Sequence, residues 1–208
     1  MSGQNDSNRF SPVLPVPVFP LPNFLLCPGV FHPFQIFEPR YLQMVDDLLD
    51  SRGELVVGTV LSENEHLLAG EPPLASVAGL GRLVEYQELD ERHCVEGGER
   101  RYAILVHGLS RVRIREAESD RLYRRVHVEP LVDEFPDALA EEPLRERLTR
   151  VMDHCLGDEA DDLKKLSLAQ MADFLIVNLS SPLAVRYELF CRTPVHERVQ
   201  ALLAHLDD

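Results

Sequence analysis

Lysine and tryptophan are the residue types that this sequence lacks or nearly lacks. Among its 208 residues there is no tryptophan, and the only lysines are the neighbours Lys164 and Lys165. A P-loop places a lysine between Gly-x-x-x-x-Gly and Ser or Thr, where it reaches the phosphates of a nucleotide. Leu166 follows Lys165 and no glycine directly precedes the pair, so the sequence contains no P-loop. A Ser–Lys hydrolase or a Schiff-base enzyme would have to use one of these two lysines.

Long apolar runs and paired cysteines are also absent. No window approaches the about 18 apolar residues of a membrane span, and the polar residues 1–11 lack the apolar core of a signal peptide. The cysteines form no Cys-x-x-Cys pair, which argues against a zinc ribbon and a disulfide framework. They are Cys27, Cys94, Cys155 and Cys191. We therefore expect a cytoplasmic protein with reduced thiols, no metal, no cofactor and no membrane contact.

Basic charge is scarce beside acidic charge. The chain has 21 Lys and Arg against 35 Asp and Glu, a formal net charge of −14. Nucleic-acid binding without base specificity requires neutralisation of phosphates, so nucleic acid is not the expected partner. A local basic stripe is the exception, because Arg111, Arg113 and Arg115 share one face of a predicted strand. A solvated strand face is the main interpretation of the stripe, and contact with an acidic partner or RNA is the alternative.

The apolar pattern divides the chain into strands followed by helices. Residues 1–11 are predicted to be a flexible tail, residues 12–133 a β-rich part and residues 137–208 a helical part. One helix is predicted among the strands, beginning at Pro39 and ending before Gly53. Later, Ser167 and Gln170 form a capping box that opens another helix. Segregated strands and helices indicate the α+β class. The main predicted strands cover residues 13–19, 34–37, 55–61, 80–88, 101–106, 110–115 and 123–128, with a turn at residues 107–108.

Three motifs near the N-terminus are distinctive when they are taken in order. They are Val16-Pro-Val-Phe-Pro-Leu-Pro22, Leu26-Cys-Pro-Gly29 and Ile36-Phe-Glu-Pro-Arg-Tyr41. Later segments such as Gly81-Arg-Leu-Val84 and Ala172-Asp-Phe-Leu175 match less specifically. From about Pro12 to Leu206 the sequence resembles the N-terminal, substrate-binding (La) domain family of the ATP-dependent Lon protease.

This resemblance implies both a fold and a function. The fold is a PUA-like β pseudo-barrel with one inserted helix, followed by an α-helical subdomain. The function is non-catalytic binding of unfolded or partly folded polypeptides, in a free-standing form, because the ATPase and Ser–Lys peptidase motifs of a complete Lon protease are absent from this sequence. A separate protease or ATPase is a further expected partner, and the oligomeric state stays open. A small hydrolase, and an adaptor or RNA-binding PUA-like protein, are the alternatives.

The candidate polypeptide-binding residues lie in the N-terminal motifs. They are Phe24, Phe31, Phe34, Phe37, Glu38, Arg40 and Tyr41. The phenylalanines line either an apolar cleft or the barrel core, and the core is favoured for Phe34 and Phe37. For the polar members, the competing interpretation is that Glu38 caps the following helix and Arg40 forms an internal pair. We predict no catalytic residue. Cys27, beside a Pro-Gly step, is an exposed-thiol candidate without an assigned base.

Overall fold

The computed structural model describes residues 15–61, 70–89, 100–156 and 160–206. The predicted tail and Cys94 lie outside these described residues. The strands are β1 (Val16–Pro22), β2 (Phe31–Ile36), β3 (Glu54–Val60), β4 (Val77–Leu89), β5 (Arg101–Ala117) and β6 (Arg125–Leu131). The helices are α1 (Pro39–Leu49), α2 (Ala138–Leu156), α3 (Ala160–Leu163), α4 (Leu168–Asn178), α5 (Leu183–Phe190) and α6 (Val195–Leu206).

The strands form a barrel whose ladder closes along only part of its length. They follow the order β2-β5-β4-β3-β1-β6, and an additional β5–β6 pairing closes the ring. β1 runs parallel to β3, and the other pairs are antiparallel. On one edge β5 pairs first with β2 and then with β6, whereas β1 reaches β6 only through Val16 and Pro17. Among the described strands, no ladder joins residues 19–22 of β1 to β2, and we call this gap the seam.

β5 is one continuous strand where the sequence predicted two strands and a turn. It spans 17 residues, and Gly108 lies inside it. A Cβ atom on Gly108 would lie 2.1 Å from the carbonyl oxygen of Cys27, and one on Gly79 would lie 2.2 Å from that of Leu26. The glycine at residue 108 therefore permits close approach of the backbone before β2, and the turn interpretation was wrong.

α1 covers the interior of the barrel, as its apolar stripe predicted. Pro39 occupies the first turn, where its missing N–H costs no hydrogen bond. Tyr41, Met44, Val45 and Leu48 are buried. They belong to one apolar cluster with residues of β1, β3 and β5. The helix thereby fixes the corner at which β2 ends.

The later helices pack together against another side of the sheet. Their buried residues form one cluster with Leu25, Cys27 and Val77 from the strand-rich part. α4 begins at the predicted capping box, in which Ser167 accepts from the Gln170 backbone and the Gln170 side chain accepts from the Ser167 backbone. The predicted α+β class, with strands followed by a helical part, is confirmed.

A group of four charged side chains, of which Asp133 is partly exposed and the other three are buried, joins the sheet to the helices. Arg111 of β5 contacts Asp173 of α4 and donates to the carbonyl of Phe190 at 2.8 Å. Arg198 of α6 donates to Asp133 at 3.0 and 2.7 Å. Arg111 also lies 3.4 Å from Asp133, and Arg198 lies 3.4 Å from Asp173. Two positive and two negative groups thus share one enclosed space, which we call the charge cluster.

The charge cluster corrects the predicted basic stripe. Arg111 is only 2% exposed, because α4, α5 and α6 cover this end of the strand face. Arg113 and Arg115 lie further along β5 and are exposed. Alternation placed the three arginines on one face but did not show that the helices cover its first position. The solvent-facing stripe therefore contains two of the three predicted members.

Candidate functional site

A groove lies across the seam, where β1 faces the corner between β2 and α1. It has a volume of about 220 Å³. One wall is residues 19–22 of β1, and the other is residues 35–38 with Arg40 and Tyr41. The first wall is rich in proline, and the second contains the Ile-Phe-Glu-Pro-Arg-Tyr motif.

Aromatic rings in edge-to-face contact fill the barrel beside the groove. The centroid of the Phe19 ring lies 5.5 Å from that of Phe34 and 4.8 Å from that of Tyr41. Phe24 extends the chain of rings, 5.4 Å from Phe34 and 4.6 Å from His32. Such pairs add about 0.5–1.5 kcal/mol each beyond their burial. We call these five residues the aromatic floor, and two of them, Phe19 and Tyr41, also line the groove.

β2 directs alternate side chains into the aromatic floor and out to solvent. His32 and Phe34 are half-buried and Ile36 is buried, whereas Phe31 and the residue after the strand, Phe37, are 57% and 56% exposed. The favoured core interpretation is therefore wrong for Phe37. It placed Phe34 correctly, at the edge of the core. Successive side chains of a strand point to opposite faces, and one face of β2 lies on the barrel, so its odd-numbered side chains are exposed.

Phe31 has a defined position although it is exposed. Its ring stacks on the imidazole of His107 of β5, with centroids 4.3 Å apart and planes inclined by 12°. This contact fixes the ring against the sheet and leaves its outer surface accessible. Phe31 and Phe37 therefore form a pair of exposed aromatic groups on the outward side of β2.

The polar residues at the corner bond mainly to one another. Arg40 donates from Nε to Oε2 of Glu38 at 2.9 Å, and from Nη1 to the carbonyl of Gly70 at 3.1 Å. Its guanidinium lies 4.6 Å from the centre of the Tyr41 ring. Glu38 occupies the N-cap position of α1, but its side chain makes no capping hydrogen bond. The predicted internal pair of Arg40 is confirmed. Glu38 is the N-cap residue, as predicted, but it caps through its backbone carbonyl, which accepts from the N–H groups of Tyr41 and Leu42.

The seven predicted residues lie in one region of the molecule. Phe37, Glu38, Arg40 and Tyr41 line the groove. Phe24 and Phe34 belong to the aromatic floor, and Phe31 lies at the opposite end of β2. Sequence reasoning missed the wall from β1. The alternation of Pro and apolar residues over positions 16–22 was its signal, because it marks a strand that cannot pair on both edges.

The thiol of Cys27 does not fit the role of an exposed nucleophile. It is buried, and burial raises the pKa of the thiol far above its ordinary value. The prediction of an exposed Cys27 is therefore wrong. Gly108 packs against the carbonyl oxygen of the same residue, so Cys27 is part of the packing between the strands and the helices.

A serine and a histidine that the sequence did not bring together are hydrogen-bonded on the helical part. Ser181 Oγ lies 2.7 Å from Nε2 of His205. The contact is exposed, whereas a serine nucleophile works in a pocket that supplies oxyanion donors and excludes water. This geometry does not support a hydrolase.

Across the described residues, no three His, Cys, Asp or Glu side chains gather as metal ligands would. Within the same ranges, no helix has the length and apolar character to cross a bilayer.

Together these features are typical of a binding domain. The molecule is a β-barrel with an open seam, one helix lies over its interior, and an aromatic groove lies at the seam. The family model of the ATP-dependent protease La (LON) substrate-binding domain matches residues 15–208. The chain therefore belongs to this family, as the motifs at residues 16–41 implied.

Individual relatives agree with this assignment. The chain is 31% identical over 117 residues to "Lon protease 2" of Sorangium cellulosum, a match that covers 55% of this chain and 13% of that protein. A solved N-terminal domain of Mycobacterium avium complex Lon protease superposes with a TM-score of 0.69 at 18% identity, covering 94% of this chain and 99% of that one. A Lon N-terminal domain protein from Xanthomonas campestris gives a TM-score of 0.66 at 22% identity, covering 92% and 98%. These two structures have the same fold.

Proposed function

We propose that this chain is a non-catalytic module that binds unfolded or partly folded polypeptide at the groove and the outward side of β2. One observation carries the proposal: Phe31 at the start of β2 and Phe37 directly after its end are more than half exposed, and the end of this strand lines the groove. Exposed aromatic groups beside a concave apolar surface are typical of interaction sites. The family to which the chain belongs supports the same function.

The energetic scale of such contacts suits reversible binding. Complete burial of a phenylalanine side chain contributes about 1.5–3 kcal/mol, and about 1.4 kcal/mol corresponds to a tenfold change in affinity. Because Phe31 and Phe37 are already partly covered, each is expected to contribute about tenfold. Few contacts of this size give the modest affinity of a module that accepts many sequences.

The corner residues give the groove a polar rim. Arg40 is held by Glu38 and by the Gly70 carbonyl, so its guanidinium covers Tyr41 and stays at the edge of the groove. A polypeptide lying there would meet an ordered edge without having to organise it. We also propose that a separate protease or ATPase acts on the bound polypeptide. RNA binding is the weaker alternative, since Arg111 is withdrawn from the basic stripe.

A titration with a labelled unfolded protein tests the proposal. Reduced, carboxymethylated lactalbumin is a suitable probe, and binding is followed by fluorescence anisotropy. Phe31→Ser and Phe37→Ser are expected to weaken binding about tenfold each, with little change in the free energy of unfolding. Leu139→Ser is the matched control, because Leu139 is 89% exposed at the start of α2. Equal affinity of all variants, or no binding by the unaltered chain, would refute the proposal.

A further inference from the structure

We infer that the groove recognises polypeptide through side chains, without adding a strand to the barrel. The proposed occupant is an extended apolar segment flanked by Lys or Arg, in which residues without a backbone N–H are tolerated. This inference rests on the proposed function and specifies how that site works. Three prolines at the seam carry it, Pro20 and Pro22 in β1 and Pro33 in β2.

The edge of β1 at the seam is short of donors. Val18 donates its backbone N–H to the carbonyl of Arg124 at 2.9 Å, on the side of β1 away from β3. Alternate residues of a strand direct their N–H and C=O groups to the same edge. The backbone groups of Pro20 and Pro22 therefore lie on that edge, beyond the pairing with β6. Since proline has no N–H, neither residue offers a donor there. Over these two residues β1 offers carbonyl oxygens only.

The facing edge of β2 has the same feature at its centre. Gly108 of β5 donates to the carbonyl of Val30 at 2.8 Å, and the pairing then runs in register from Phe31 opposite His107 to Ile36 opposite Tyr102. Even-numbered residues of β2 thus bond to β5, and odd-numbered residues direct their backbone groups to the seam. Pro33 lies in the odd set, so the middle of this edge also lacks an N–H.

These edges make strand addition unfavourable. A strand added along β1 would direct its own carbonyl groups at Pro20 and Pro22, which have no N–H to donate to them. Each carbonyl left unsatisfied on burial costs about 1–3 kcal/mol. Strand addition derives its affinity from main-chain hydrogen bonds, and two such losses remove that advantage.

The size of the groove favours side-chain recognition. Its about 220 Å³ lies below the range of about 300–1,000 Å³ for pockets that enclose small-molecule ligands. An apolar side chain of an extended segment suits this volume, and Phe19 and Tyr41 of the aromatic floor supply contact surface. Phe31 and Phe37 lie at opposite ends of β2, about 20 Å apart along the strand, so each covers a different part of the same segment.

Charge complementarity favours basic flanks on that segment. The carboxylate of Glu38 at the rim is paired with Arg40 at 2.8 Å, so these two charges cancel locally and the long-range field comes from the whole chain. The whole chain has a formal net charge of −14. A surface field of one sign raises the local concentration of the opposite sign. Lys or Arg on either side of the apolar residues therefore strengthens binding, and acidic flanks weaken it.

Four synthetic peptides test the inference. The parent has an apolar centre with a lysine on each side. The second carries N-methyl groups on alternate central residues, the third has serine in the centre, and the fourth has glutamate flanks. We expect the N-methylated peptide to bind within about threefold of the parent, and the serine and glutamate peptides to bind about tenfold more weakly. Added salt is expected to reduce the glutamate effect.

The outcomes separate the inference from the proposed function. A loss of about tenfold or more on N-methylation overturns the inference and leaves polypeptide binding intact. If no peptide binds and the unfolded protein also fails to bind, the proposed function is refuted. Pro33→Ala supplies an N–H that can donate to a peptide carbonyl at the seam, and it is expected to strengthen binding of the parent peptide about threefold or more; Pro130→Ala, in β6, is the matched control. An unchanged affinity of folded Pro33→Ala for the parent peptide would overturn the donor argument.

Discussion

Arg198 of α6 holds Asp133 with both terminal nitrogens, at 3.0 Å from Nη1 and 2.7 Å from Nη2. Asp133 follows β6, so the last helix is bonded to the segment that leaves the sheet. The Nη1 atom also donates to the carbonyl of Arg192 at 2.6 Å. Arg111 and Asp173 complete the charge cluster. Each charge has an opposite partner there, which is the condition under which buried charges are tolerated.

Replacement of Arg111 tests the charge cluster against its neighbour on the strand. Arg111→Ala leaves Asp173 buried with reduced compensation, and we expect the free energy of unfolding to fall by about 3–5 kcal/mol. Arg113→Ala, on the same face but exposed, is expected to change it by less than about 0.5 kcal/mol. Urea unfolding followed by circular dichroism measures both. Similar losses for the two variants would contradict the buried role of Arg111.

Gly108 is predicted to tolerate no side chain. A Cβ atom there would lie 2.1 Å from the carbonyl oxygen of Cys27, and a backbone oxygen cannot turn aside as a flexible side chain does. Gly108→Ala is therefore expected to lower the free energy of unfolding by about 1–3 kcal/mol or more. Ser110→Ala, two residues further along β5, serves as the control. A Gly108→Ala variant as stable as this control would show that the strands separate easily at this point.

The capping box of α4 is predicted to contribute measurably to stability. Ser167→Ala removes the acceptor of the Gln170 backbone N–H and is expected to cost about 0.5–2 kcal/mol. Gln170→Ala removes the reciprocal hydrogen bond to the Ser167 backbone. Thermal and urea unfolding of both single variants and the double variant would reveal coupling between the two bonds. Strict additivity of the two losses would count against a reciprocal box.

Alkaline pH is predicted to destabilise the fold through three tyrosines. Burial raises the pKa of Tyr102, Tyr123 and Tyr187 to about 12 each, and hydrogen bonds from Tyr102 to Asp46 and from Tyr123 to Asp47 act in the same direction. In the unfolded chain their pKa is about 10. Between these values the folded state binds more protons than the unfolded state. The stability that these protonated tyrosines contribute is present below pH about 10 and is lost as the pH rises towards about 12.

Two measurements check this pH dependence. Ultraviolet titration of tyrosinate is expected to show a delayed phase in the folded protein that disappears in urea. The free energy of unfolding is expected to be lower at pH about 11 than at about 9, and less so in Tyr123→Phe. Native tyrosines that all titrate near pH about 10 would contradict the prediction.

Local patterns in the sequence predicted those elements that depend on neighbouring residues. Pro39 and the apolar stripe after it located α1, and Ser167 with Gln170 located the start of α4. Both depend on hydrogen bonds and side chains within one or two turns. The Glu-Pro-Arg-Tyr motif likewise marked the corner that became one wall of the groove.

Contacts between distant segments were beyond those patterns. The glycine at residue 108 looks like a turn residue locally, and only the approach of Cys27 explains it. Arg111 looks like a solvent-facing residue until α4, α5 and α6 cover it. Phe37 is a large apolar residue of the kind found in cores, but its side chain faces outward, in line with the odd-numbered residues of β2. Which side chains of a strand face outward depends on the pairing register. Tertiary packing decided each of these cases.

β2 and β6 pair with different parts of the same edge of β5, and as a result β2 can detach from the barrel more easily than the other strands. β2 is held to the sheet by one ladder, along residues 102–107 of β5, whereas β4 has a neighbour on both sides. Detachment of β2 alone therefore leaves the closed ring of β5, β4, β3, β1 and β6 standing. In hydrogen exchange, the amides of His32 and Phe34 should exchange through local opening, while those of β3 and β4 require global unfolding. The groove would then widen by release of its own wall, without loss of the remaining fold.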